Sequence, residues 1–140
     1  MISDFRFMRQ KGKPAFARVW VDGEADGNGA AVVADALPDR VNPDEGEVNA
    51  RTAPGWVAAA LEGITQVLEH ARQAGWVSAP QVRLVKLVGT VADTTEDAVR
   101  CAAGCATWKA LQLPDPGPEA EFDGVRWHIL FPVGAGQGRK

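Results

Sequence analysis

Apolar and polar positions alternate over residues 2–10, with Phe5, Phe7 and Arg9 on one parity and Asp4, Arg6 and Met8 on the other, a period of two that predicts a strand. Lys11, Gly12, Lys13 and Pro14 supply a turn. Alternation resumes over 15–23, where Ala17, Val19 and Val21 oppose Phe16, Arg18 and Trp20, so the two segments form a hairpin with the valine parity toward the core. A loop at 24–29, which includes Asn28, leads to a weaker third strand over 30–36. Residues 37–51, with two prolines and a cluster of acids, read as a solvated loop.

The period then changes. Val57, Ala60, Leu61, Ile64, Leu68 and Ala71 recur at steps of three and four, which predicts an amphipathic helix that Thr52 caps, Pro54 opens and Gly75 ends. Trp56 and Trp76 flank it. Val82, Leu84 and Leu87 alternate with Arg83 and Lys86, loosened by Val85 and Val88, in a strand over 80–88 that Gly89 closes. Asp93 with Glu96 three positions later has the spacing of a capping box, and the helix it opens has a small-sided face of Ala98, Cys101, Ala102, Cys105 and Ala106, extended by Trp108 and suited to close approach to a sheet. Pro114, Pro116 and Pro118 forbid continuation, and Val125, Trp127, Ile129 and Phe131 share one parity of a late strand. The expectation is an α+β fold: a two-layer α/β sandwich with a β-β-β-α-β-α core, both helices on one face of a mostly four-stranded sheet, and a late C-terminal strand. It forms one domain over 1–133, with a disordered tail over 134–140.

The stretch ADTTEDA, in which Asp93, Thr94, Thr95 and Glu96 follow a strand and a glycine turn and open a helix with small residues inside it, resembles domain IV of translation elongation factor G. FRFMRQKG, with Arg9, Gln10 and Gly12, resembles that family's first strand and turn, and residues 54–75, with Gly63 before Ile64, resemble its first helix. A glycine inside a helix costs about 1 kcal/mol relative to alanine, so Gly63 implies a packing reason such as close approach to the sheet. The similarity runs over residues 5–111 and implies the ribosomal protein S5 domain 2-like fold, with a left-handed crossover. It also implies a tip, built from the first turn and the loop before the last helix, that reaches the ribosomal decoding region. On that basis the loops at 9–14 and 89–93 are candidate ribosome or RNA contacts, through Arg9, Gln10, Lys11, Lys13 and Thr90. The chain departs from the family in three ways: the first turn is short, the second loop lacks the Asp-Gly turn and the His, and no G-x-x-x-x-G-K-[ST] phosphate loop exists. It is not a translocase by itself.

Composition changes this picture little. With 46% apolar and 24% charged residues in 140, the chain falls in ordinary globular usage. The absence of a run of about 20 apolar residues argues against a membrane protein. The start MISDFRF lacks the pattern of a secretory signal, so a cytoplasmic location is expected. Net charge is −3, unlike a general nucleic-acid binder, and no DNA partner is expected, but the charge is segregated. Residues 1–20 hold Arg6, Arg9, Lys11, Lys13 and Arg18 against Asp4, whereas residues 21–51 hold eight acids against Arg40 and Arg51.

Candidate chemistry is sparse. Cys101 and Cys105, one helical turn apart, read as reduced core residues, His70 as a solvated helix residue and His128 as an exposed strand residue. Asp44, Glu45 and Glu47 lack the order of a calcium loop and read as a solvated run. No enzyme, cofactor or metal is expected. Two binding functions remain: a ribosome- or RNA-associated module, or an interaction module that binds another protein or itself through an apolar patch around Trp20 or Trp127.

Overall fold

The computed structural model describes residues 1–10, 14–27 and 29–132. Lys11, Gly12, Lys13, Asn28 and the tail from residue 133 lie outside the described residues, and with them most of the first turn and the disordered tail expected at 134–140. A four-stranded sheet is built from β1 (Ile2–Arg9), β2 (Ala15–Glu24), β3 (Val32–Asp35) and β4 (Gln81–Val88), in the order β1-β2-β4-β3. β1, β2 and β4 are antiparallel neighbours, and β3 runs parallel to β4 because helix α1 (Pro54–Gln73) carries the chain back between them. The sheet is therefore mixed, and both α1 and α2 (Glu96–Ala110) cover the same face, packing against each other as well as against the strands. This is the expected two-layer α+β sandwich.

β2 shows why the sheet has one dry side. Ala15, Ala17, Val19, Val21 and Gly23 are buried, while Phe16, Arg18, Trp20 and Asp22 between them are partly exposed. In β4 the buried positions are Val82, Leu84 and Leu87, a change of parity that an ideal strand cannot make. Register with β2 slips between Trp20 and Val21, so Val85 is an extra residue in a bulge, which is why the alternation in the sequence is loosened there.

The helix boundaries differ in detail from those read in the sequence. Thr52 does not cap α1: the N-cap is Ala53, and the Thr52 hydroxyl accepts from the Asn49 N–H at 3.0 Å. Asn49, 6% exposed, holds this approach together, accepting from the Arg51 and Thr52 amides and donating to the Pro38 and Asp39 carbonyls. The end of α1 is as expected, with Gly75 at φ +78° and paired backbone bonds from Gly75 to Arg72 and from Trp76 to Ala71. Asp93 is not the cap of α2. That role belongs to Thr95, whose hydroxyl accepts from the Ala98 N–H, with Glu96 and Asp97 in the positively polarised first turn.

α2 is buried almost all round because three neighbours surround it. The sheet and α1 are two of them, and the third is a hairpin of β5 (Glu119–Phe122) and β6 (Trp127–Leu130), so the late strand pairs with a partner of its own in a separate two-stranded sheet. The small residues of α2 thus serve more than the sheet. Gly63 likewise faces α2, not the sheet: a Cβ there would stand 3.0 Å from the Arg100 carbonyl carbon and nearer still to its oxygen. Opposite it, a Cβ on Gly104 would meet Ile129 of β6 at 2.7 Å.

Candidate functional site

The site begins at Phe16, the second residue of β2. Its N–H donates to the Asp93 carbonyl at 3.0 Å, and its carbonyl accepts from the Thr94 hydroxyl at 2.7 Å. The same hydroxyl accepts from the Thr90 N–H at 2.7 Å, and the Thr90 carbonyl takes the Thr94 N–H at 3.0 Å. Thr94 is 8% exposed and so is a buried polar residue with its hydrogen-bonding capacity used. Because β2 is antiparallel to both β1 and β4, its start lies beside the end of each, and the loop before α2 is tied directly to the strand that leaves the first turn.

Gly89 makes the turn possible. A Cβ at this position would come within 2.7 Å of Trp56 Cζ3 and 2.8 Å of the Thr94 hydroxyl. Beyond it Val91 is 99% exposed, an apolar side chain set out in water at the loop apex. Sequence reasoning passed over Val91, since a lone valine in a loop carries no pattern.

The candidate residues divide. Gln10 is exposed beyond β1. Thr90 is exposed at the loop, with its hydroxyl accepting from the Asp93 N–H at 3.2 Å, so part of its polarity is spent on the turn. Arg9 is turned toward the helix side, its guanidinium 4.6 Å from the Phe7 ring centre and 5.4 Å from that of Trp127. Lys11 and Lys13 lie outside the described residues. The structure thus brings Gln10 and the Thr90 loop to one end of the sheet and diverts Arg9 from it.

Acids also reach this end. The short 3-10 turn Pro43–Glu45 is followed by Gly46, whose carbonyl accepts from the Gly89 N–H at 3.0 Å, and Val48 donates to the Leu87 carbonyl at 3.0 Å, closing the edge of β4 that β3 leaves unpaired. Asp44 and Glu45 therefore stand exposed near the Gly89 turn. The tip is basic on the β1–β2 side in sequence and acidic on the β4 side.

Other groups with possible chemistry are occupied elsewhere. Cys101 and Cys105 are buried and unbonded to each other, and burial pushes their thiols up to about 12 and about 11. His128 is exposed as expected, with Nε2 2.6 Å from Asp123, whose carboxyl is held below the usual range by the amides of Arg126 and Val125 and by this histidine. His70 is not a solvated residue. It stacks on Phe131 at 4.3 Å between ring centres, stands within 5.8 Å of Trp76 and Trp108, and burial lowers its pKa. Beside it, an open cleft of about 530 Å³ between α1 and β6 is lined by Glu62, Glu69, Arg100 and Arg126 among others. Among the described residues no three His, Cys, Asp or Glu side chains are grouped to hold a metal ion, and no helix is long and apolar enough to cross a membrane.

Both tryptophans considered above for an apolar patch are partly exposed. Trp20 lies partly buried beneath two cations, and Trp127 meets Phe7 at 5.2 Å and Phe122 at 5.1 Å.

No protein-family model matches the chain, and no curated protein matches it. Among solved structures it is similar to a protein from Thermus thermophilus, with a TM-score of 0.56 and 17% identity over 77% of this chain. The match spans 15% of the Thermus chain, and the likeness is one of fold.

Proposed function

We propose that this chain is a non-catalytic module of the elongation factor G domain IV type that contacts the ribosome or its RNA through the loops at 9–14 and 89–93. The observation that carries the reading is the pair of hydrogen bonds joining Phe16 to Asp93 and Thr94, which ties the loop before α2 to the start of β2 at one end of the sheet. A tip of that kind is what the resemblance requires. Gln10, the Thr90 loop and the exposed Val91 offer polar and apolar contacts, and Lys11 and Lys13 add the charge that phosphates select. Burial raises the thiols of Cys101 and Cys105 to about 12 and about 11, so neither is a nucleophile near neutral pH.

The test is cosedimentation of the chain with ribosomes at about 50 mM salt, with the salt concentration then raised. Binding that weakens steeply with salt is expected, and replacing both Lys11 and Lys13 by Gln lowers the slope of log affinity on log salt by about 1.4–1.8, depending on whether the RNA is single- or double-stranded. Failure of the wild-type chain to bind ribosomes at low salt rejects the reading.

A further inference from the structure

The sheet face turned away from α1 and α2 is built as an alternation of rings and cations. Phe16, Arg18 and Trp20 of β2 share this face, and β1 and β4 set Arg6 opposite Arg18 and Lys86 opposite Trp20. The Arg18 guanidinium lies 4.6 Å from the Trp20 ring centre, Lys86 Nζ lies 4.9 Å from the same ring, and Arg6 lies 6.0 Å from the ring of Phe16. Neither Phe16 nor Trp20 is among the partly buried side chains that pack against the core, so the fold does not use them to exclude water from its interior. The β5–β6 hairpin also lies on the helix side, where Trp127 meets Phe7 and Ile129 meets Gly104.

The charge on this face is unequal. Arg18 pairs with Asp4 at 2.8 Å and Arg83 with Asp22 at 2.9 Å, while Arg6 and Lys86 add positive charge beyond these pairs and rest on aromatic rings. A partner suited to it carries negative charge and flat apolar surfaces at the same time. Unpaired nucleotides do both. A base can take the place of a cation on the ring, and the displaced cation can turn to the neighbouring phosphate, so the cation–π contact is exchanged rather than lost. Phe16 and Trp20, four residues apart on one strand, place two stacking positions about 13 Å apart. Phe16 is also the residue that ties the loop before α2 to the start of β2, so the platform continues from that end of the sheet.

We infer that the outer sheet face binds single-stranded RNA, with bases stacked on Phe16 and Trp20 and phosphates held by Arg6, Arg18 and Lys86. That the polyanion is RNA rests on the reading of the tip; that it lies on this face rests on the rings and cations. The opposing explanation is that the cations only cover the rings and stiffen a bare sheet.

The experiment is fluorescence anisotropy of a labelled oligouridylate of about 12 nucleotides with the full chain, for wild type, Trp20→Ala and the double variant Arg6→Gln/Lys86→Gln, with circular dichroism to check folding. Trp20→Ala is expected to weaken binding about 5- to 100-fold. The double variant is expected to lower the slope of log affinity on log salt by about 1.4, and it alone decides if Trp20→Ala does not fold. No binding by the wild type at about 50 mM salt, or a folded variant set that binds within about twofold of it with an unchanged slope, overturns the inference. Ribosome cosedimentation of the same proteins separates the two readings: a chain that binds ribosomes but not the oligomer keeps the tip reading and loses this one, and the reverse keeps this one and loses the tip.

Discussion

Gly63 on α1 and Arg100 on α2 meet backbone to backbone, with no room between them for a methyl group. Gly63→Ala gains about 1 kcal/mol of helix propensity and loses about 2–3 kcal/mol to overpacking, the upper part of the usual range, since the obstacle is a backbone carbonyl that cannot rotate away. The variant is therefore expected to be less stable by about 1–2 kcal/mol, a fall in Tm of roughly 3–8 °C. A Tm equal to or above that of the wild type would show that the helices are not in contact there.

Thr94 links the tip loop to β2 through one hydroxyl that both donates and accepts. Thr94→Val keeps the shape and strands the Phe16 carbonyl and the Thr90 amide, each at about 1–3 kcal/mol when buried without a partner. The expected loss is about 2–6 kcal/mol, with faster exchange of the Thr90 amide, and Thr94→Ser restores most of both. Thermal melts and hydrogen exchange of the three proteins decide the matter. If the valine variant protects Thr90 as well as the wild type does, the loop is held by something else.

The acidic turn near Gly89 gives the proposed RNA contact a sign that can be checked. Asp44→Asn/Glu45→Gln removes repulsion without touching the loop junction, because the Gly46 to Gly89 bond is made by backbone atoms. Affinity for ribosomal RNA is expected to rise about two- to fivefold at about 50 mM salt and to converge with the wild type near 1 M, where the screening length falls to about 3 Å. No change at low salt would place the RNA away from this end.

Much of the fold could be read from periods in the sequence, and the exceptions have local causes. Val19 and Val21 announced the buried face of β2, and the stripe from Val57 to Ala71 announced α1, because burial on one side imposes those spacings directly. β5 escaped notice since Glu119, Ala120, Glu121 and Phe122 make a short, mostly exposed strand with little to alternate. The cap at Asp93 was misplaced by two positions because several hydroxyl and carboxyl residues stand in a row there and a tertiary bond, Thr94 to Phe16, helps decide which is free to cap, and the cap at Thr52 by one because its hydroxyl is spent in a local turn on Asn49. His70 looked solvated from its helix alone; Phe131, sixty-one positions later, supplies the ring that covers it. At the tip, Gln10 follows β1 and Thr90 follows β4 at the same end of the sheet, while the turn of Arg9 toward Trp127 depends on a hairpin that local spacing does not reveal.

Asp97 fastens that hairpin. Its carboxylate accepts from the Trp127 N–H at 2.6 Å as well as from Thr95 and Ala98. Desolvation pushes its pKa up, but the hydrogen bonds from Thr95, Trp127 and Ala98 outweigh it, and the net direction is down. A carboxyl lowered by folding adds stability above its unfolded pKa of about 3.9 and loses it as pH falls through the folded value. Asp97→Asn should cost about 1.5–3 kcal/mol at pH 7 and speed proteolytic cleavage within residues 119–130 before the rest of the chain. It should also flatten the decline in stability below pH 4. Cleavage at the wild-type rate would mean that the other anchors, the Arg100 bond to the Trp127 carbonyl and the packing of Trp127 on Phe7, hold the hairpin without Asp97.

His70 acts in the same direction at a higher pH. Burial against Phe131, Trp76 and Trp108 disfavours the imidazolium, so the folded chain binds a proton there less readily than the unfolded chain. The unfolded state then holds more protons as pH drops below about 6.5, and stability falls with it, whereas above that value both states carry neutral histidine and the contribution is flat. Glu62 and Glu69 line the same cleft, and burial alone sets the direction of the shift. Urea melts between pH 7.5 and 5 should show wild-type stability declining with acid more steeply than that of His70→Phe, which keeps a ring against Phe131 and has nothing to titrate. Equal slopes for the two proteins would mean that the imidazolium is as well accommodated in the folded chain as in water.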